Sequence, residues 1–194
     1  MKRNVMIFLV VVCAIAAYFL FVKKSPKETL EEKAATPLVA KTNTAFENAY
    51  GDFLKAYDQL KTALVETDAE KAKTAAENLI ELAGTVSVDD IEGDNEGLLH
   101  ETATSFKNLV VENAKLIAQT NDIEVQRTQF ENVSENLWAL TRTVKFGGEQ
   151  VYLQHCPMAF NDRGANWVSL SSEVLNPYFG NKMLKCGVVK DSIK

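Results

Sequence analysis

Between Thr44 and Phe146 the chain contains no proline, and its apolar residues recur three and four positions apart. Strands alternate with a period of two and a proline would break a helical ladder, so this stretch confines the fold to packed helices. The first stripe, Phe46, Tyr50, Phe53, Tyr57, Leu60 and Leu64, stays on one helical face. Thr44 and Glu47 stand at its start with the spacing of a capping box. Thr67 and Glu70 repeat that spacing before Ala72, Ala75, Leu79 and Leu82 or Ala83, and Gly84 sits where a helix should stop. Leu99, Ala103, Phe106, Val110, Ala114 and Ile117 form a third stripe. Asp122 opens a fourth helix carrying Phe130, Val133, Leu137, Leu140 and Val144, closed by Gly147-Gly148. The expected fold is mainly α, a four-helix up-down bundle over residues 44–148.

The formal charge of −5 is unevenly spread: residues 28–148 hold 22 acidic and 11 basic side chains, while the flanks are net positive. No basic block exists to neutralise phosphates, which excludes nucleic acid as the expected partner. The acidic body reads as a solubilising surface, with attraction of cations or a basic partner as the alternative. Asp89 to Gly97 is read as an acidic interhelical loop. In the calcium-loop register that starts at Asp90, the sharp-turn position that requires Gly holds Asn95.

Val5 to Val22 is a run of 18 uncharged residues between Lys2-Arg3 and Lys23-Lys24, about the length that spans a bilayer as a helix. Residues 1–24 are expected to be a signal anchor, with a cleaved signal peptide as the alternative because Ala14-Ile15-Ala16 offers a small-x-small site. Cys13 follows Val11 and Val12, where lipid attachment needs small residues. Residues 25–43, rich in Lys, Glu, Ala, Pro and Thr, form the expected flexible tether. The folded part is thus placed in the cell envelope, joined to the membrane through its N-terminal segment.

After Gly148 the pattern changes, and residues 149–194 are expected to be a small β-hairpin and loop subdomain packed on the bundle. Val151 to Cys156 is β-prone, Asn161-Asp162-Arg163-Gly164 is turn material, and Trp167 to Leu170 is the returning strand. Outside the anchor the chain has two Met and two Cys, and they pair up in sequence: His155-Cys156-Pro157-Met158, then Met183-Leu184-Lys185-Cys186. Thiolate and thioether sulfur are soft donors that favour Cu(I) over hard ions. Cys156, Met158, Met183 and Cys186 are therefore candidate metal ligands, with His155 as a borderline one on the opposite strand face from Cys156. The competing reading is a Cys156–Cys186 disulfide, expected in an exported domain and worth about 3 to 4 kcal/mol by chain entropy. A third is a pair of buried free thiols. An enzyme is not expected, because the sequence offers no Ser-His-Asp order, no phosphate-binding glycine loop and only two His.

Tyr152-x-x-x-Cys156-Pro157-Met158-Ala159, then Gly164-Ala165-x-Trp167, then Asn176-Pro177-Tyr178-Phe179-Gly180-x-x-Met183-Leu184-x-Cys186-Gly187, following an Ala-rich helical body, resembles a bacterial envelope domain of unknown function. That domain occurs alone behind an export signal or fused to periplasmic adaptor subunits of heavy-metal efflux pumps. The resemblance runs from about Phe46 to Lys190 and is to the stand-alone form. It implies an association with copper or related metals, ligands at Cys156, Met158, Met183 and Cys186, and efflux-system proteins as partners. Together these readings predict an envelope-tethered soft-metal binding protein, with a structural or protein-interaction module closed by a Cys156–Cys186 disulfide as the alternative.

Overall fold

The structure, a computed structural model, describes residues 41–92 and 97–194. The expected membrane segment, the tether up to residue 40 and residues 93–96 of the acidic loop lie outside the described residues. Four long helices dominate: α1 (Thr44–Val65), α2 (Ala69–Ala83), α3 (Leu98–Ala118) and α4 (Ile123–Val144). Among the described residues no helix is long and apolar enough to cross a membrane. The expected stripes face inward, with Phe46, Tyr50, Phe53, Tyr57, Leu60 and Leu64 all at 1% exposure or less.

Two helix starts fall one residue away from the expected caps. Asn43 caps α1 by accepting from Phe46 N–H, and Asp68 caps α2 by accepting from Lys71 N–H. Both caps sit in extended backbone, the conformation in which a short side chain reaches the exposed amides of the first turn. Glu47 instead takes the Thr42 hydroxyl and the Gly147 N–H. Asp122 caps α4 as expected, accepting from Glu124 and Val125. The end of the expected tether is built into the domain, where β1 (Lys41–Thr42) pairs antiparallel with β2 (Ile91–Glu92).

Polar bonds fix the register of α1 against α4. Tyr50 OH lies 2.8 Å from Thr141 Oγ1 and Tyr57 OH lies 2.6 Å from Ser134 Oγ, both pairs buried. As the α1 number rises the α4 number falls by the same step, so the two helices run antiparallel. Tyr57 also stacks on Phe130 at 5.1 Å between ring centroids.

The C-terminal segment forms a three-stranded antiparallel sheet in the order β4-β3-β5, with β3 (Val151–Cys156) central, β4 (Ala165–Ser169) and β5 (Val188–Ile193). The expected hairpin is β3 with β4; the third strand is an addition. The turn between them, Ala159–Asp162, is left-handed at Phe160, Asn161 and Asp162, with φ of 53°, 58° and 63°. Phe160 is held there by Tyr178, 5.2 Å away edge-on, and by the Arg163 guanidinium, 5.1 Å over its ring.

This sheet lies against α1 and α4. Val168 N–H donates to Tyr57 OH at 3.0 Å, Lys61 Nζ donates to Ser169 Oγ at 3.2 Å, and Arg163 makes a two-pronged pair with Glu131 at 2.7 and 2.6 Å. Bundle and sheet form one compact unit.

Candidate functional site

The sheet and the loop that follows it bring Cys156 and Cys186 together. Cys156 ends the central strand and is fully buried, while Cys186 is half-buried, and their sulfurs are 2.9 Å apart as thiols. Hydrogen bonding to Cys156 pushes the Cys186 thiol up to about 11, with burial adding to it. Cys186 is held as a neutral thiol at physiological pH, so an ion that binds it must displace its proton.

The sulfur separation falls between two bonded states. A disulfide requires about 2.05 Å, whereas two thiolates on one tetrahedral ion with bonds of about 2.3 Å stand about 3.8 Å apart. Side-chain rotation of under about 1 Å reaches either state from the observed spacing.

The Met-x-x-Cys spacing is a hydrogen-bonded turn. Cys186 N–H donates to Met183 O at 3.0 Å, which folds Met183 and Cys186 into one four-residue unit. Met183 is half-buried, and Met158, two residues beyond Cys156, is 47% exposed.

His155 is not grouped with the thiols. It alternates with Cys156 along β3, and its Nδ1 lies 2.8 Å from Asn166 Oδ1. Asn166 uses its Nδ2 to donate to Glu135 at 2.7 Å. Its Oδ1 is therefore the acceptor, and His155 Nδ1 carries the proton, leaving Nε2 as the lone-pair nitrogen. Among the described residues no three His, Cys, Asp or Glu side chains converge on a possible metal position.

Two residues that position the pair were not expected from the sequence. Asn176 is fully buried; its Nδ2 donates to Cys186 O at 2.8 Å, its Oδ1 accepts from Tyr178 N–H at 2.8 Å, and its own N–H donates to Leu184 O at 2.8 Å. One side chain thus ties both ends of the loop that carries Cys186. Arg127 of α4 is 3% exposed and donates to Pro177 O at 2.9 Å, which anchors that loop to the bundle. The glycines of the motif allow close approach: a Cβ on Gly180, where φ is 54°, would lie 2.8 Å from Val65 O, and one on Gly187 would lie 2.8 Å from the Trp167 ring.

Asn176→Ala leaves the buried Tyr178 amide and the half-buried Cys186 carbonyl without their Asn176 partners, an expected cost of about 2 kcal/mol. Urea unfolding measures it, and faster alkylation of Cys156 in native conditions should accompany it. An unchanged midpoint would show that the loop does not depend on Asn176.

Residues 53–147 carry a domain of unknown function: they match the profile of the family described as "Protein of unknown function (DUF3347)". The matched stretch covers most of α1, all of α2 to α4 and the turn beyond; Cys156, Met158, Met183 and Cys186 lie past its end. No curated protein and no solved structure gives a significant match.

Proposed function

We propose that this protein is a non-catalytic soft-metal binding module, tethered in the bacterial cell envelope by its N-terminal segment and facing the periplasm. It captures Cu(I) and buffers it or passes it to an efflux system. The observation that carries this reading is the meeting of two thiols, buried and half-buried, at the end of β3, with Met183 in the same turn as Cys186. Two thiolates supply the soft, charged donors, and the thioethers of Met183 and Met158 supply neutral ones. His155 Nε2 is a donor of last resort, since the ring is committed to Asn166 on the other strand face.

Titration of the reduced full chain, with Cys13 replaced by Ser, against a chromophoric Cu(I) chelator tests this. One Cu(I) per chain is expected. Cys156→Ser or Cys186→Ser should weaken binding at least about a hundredfold, on the order of 3 kcal/mol. Met183→Leu should cost about tenfold, on the order of 1.4 kcal/mol. Absence of competition, or competition unchanged when both cysteines are replaced, overturns the proposal.

The second reading is a structural or interaction module locked by a Cys156–Cys186 disulfide, and the 2.9 Å sulfur contact favours it. Intact mass of envelope-purified protein after alkylation, with and without reductant, separates the two. Alkylation of both Cys156 and Cys186 in unreduced material is the result expected for the metal module.

A further inference from the structure

The two cysteines differ in access, and that difference gives the pair a direction. Cys156 is at 0% exposure on the central strand, flanked by β4 and β5. Cys186 is half-buried on the turn after Met183, followed by Val188 at 59% exposure. Sulfur attacks a disulfide in line, so the entering thiol, the attacked sulfur and the leaving sulfur need a nearly straight path with room at its far end. A reagent from solvent finds that room at Cys186 and not at Cys156.

We infer that Cys186 is an acceptor site for small-molecule disulfides and that Cys156 is the resolving thiol, so that the pair oxidises by a fixed two-step exchange. In the first step the Cys186 sulfur attacks one sulfur of an external disulfide RS–SR. The external S–S bond breaks, the Cys186–SR bond forms, and one RS⁻ leaves and gains the proton that Cys186 gives up. In the second step the Cys156 sulfur, 2.9 Å from Cys186 Sγ, attacks that sulfur from the buried side. The mixed disulfide breaks, the Cys156–Cys186 bond forms, and the second RS⁻ leaves with the proton from Cys156. Two protein thiols are oxidised and one external disulfide is reduced to two RSH. Asn176 holds the Cys186 carbonyl throughout, so only the side chain has to rotate. This exchange is read on metal-free protein and stands apart from metal capture.

Oxidised glutathione and the full chain in detergent, with Cys13 replaced by Ser, test the inference by intact mass after quenching with an alkylating agent. The parent should lose two hydrogens and retain no glutathione. Cys156→Ser should accumulate one glutathione on Cys186, and Cys186→Ser should form its adduct at least about tenfold more slowly. In urea the two single variants should react at similar rates, which assigns the native difference to burial. A second measurement needs no substitution at the pair: peptide mapping of the parent quenched early should find glutathione on Cys186 alone. The inference is overturned if Cys186→Ser reacts natively as fast as Cys156→Ser, if early adducts sit on Cys156, or if the parent keeps glutathione without closing the internal bond.

Discussion

Arg127→Met is expected to lower folding stability by about 2 to 3 kcal/mol and to loosen the C-terminal segment from the bundle. The guanidinium spends each of its faces on a different element. Nε donates to Pro177 O at 2.9 Å, Nη2 donates to Leu64 O at 3.2 Å and Thr67 Oγ1 at 3.0 Å, and Nη1 pairs with Glu124 at 2.7 Å. Glu124 is 70% exposed and water can solvate it after the change, so the ion pair is a minor part of the loss. The larger part is the buried Pro177 carbonyl left without its donor, at about 1 to 3 kcal/mol, with the Thr67 hydroxyl losing its partner as well; Leu64 O keeps the Thr67 N–H. Met keeps the volume of the stem, which separates the polar loss from a cavity. Lys supplies one point donor where three directions are needed, so Arg127→Lys should recover only part of the stability. Urea unfolding followed by circular dichroism reads the loss. Limited proteolysis reads the loosening, with new cleavage expected between β4 and β5. Because Pro177 adjoins Asn176 in the loop that ends at Cys186, the same variant should expose Cys156 to alkylation. A loss under about 1 kcal/mol would remove Arg127 from this role.

The helices were legible in the sequence because burial repeats with the helix period, and each expected stripe faces the core. The helix starts were less legible. Thr44 and Thr67 had the right spacing from an acid, but Asn43 and Asp68 cap the helices, and Thr67, at φ 59°, gives its oxygen to Arg127. β5 left no pattern to read, since its residues are nearly all exposed and Lys190 interrupts its pairing with β3. An exposed edge strand is specified by its hydrogen bonds to its neighbour, which carry no side-chain signature. Arg127 did leave one: it precedes Phe130 by three, on the same face that buries Phe130, Ser134, Leu137 and Thr141. A charged residue in line with a buried stripe signals a buried partner, but Glu124 three residues earlier gives it the look of an exposed helical pair. For the candidate site, the grouping of Cys and Met was visible in the counts. The approach of the two sulfurs depends on Asn176 and Gly180, whose part in holding the loop shows only once the chain is folded.

Above pH about 10 the protein should unfold in one steep transition, losing about 4 kcal/mol of stability per pH unit. Three tyrosines set this: burial raises Tyr50, Tyr57 and Tyr178 well above the usual phenol value. The folded state keeps them protonated, while an unfolded chain ionises them near pH 10. Below that pH both states hold the same protons and the tyrosines make stability independent of pH. As pH rises past 10 the unfolded state alone releases protons, one per tyrosine, so the stability they contribute is lost as pH climbs toward their folded values. The transition should be single because the same side chains join the parts of the fold. Tyr50 reaches Thr141 across the bundle, Tyr57 reaches both Ser134 and the β4 amide of Val168, and Tyr178 donates to Asn166 O while its ring meets Phe130 and Trp167. Helical circular dichroism and the 295 nm phenolate absorbance, followed together through the titration, measure it. A phenolate step that coincides with helix loss is expected, and Tyr50→Phe should reduce the steepness by about one third. If three tyrosines ionised near pH 10 with the helices intact, their hydroxyls would have to be open to solvent, and the packing of the C-terminal sheet on α1 and α4 would be wrong.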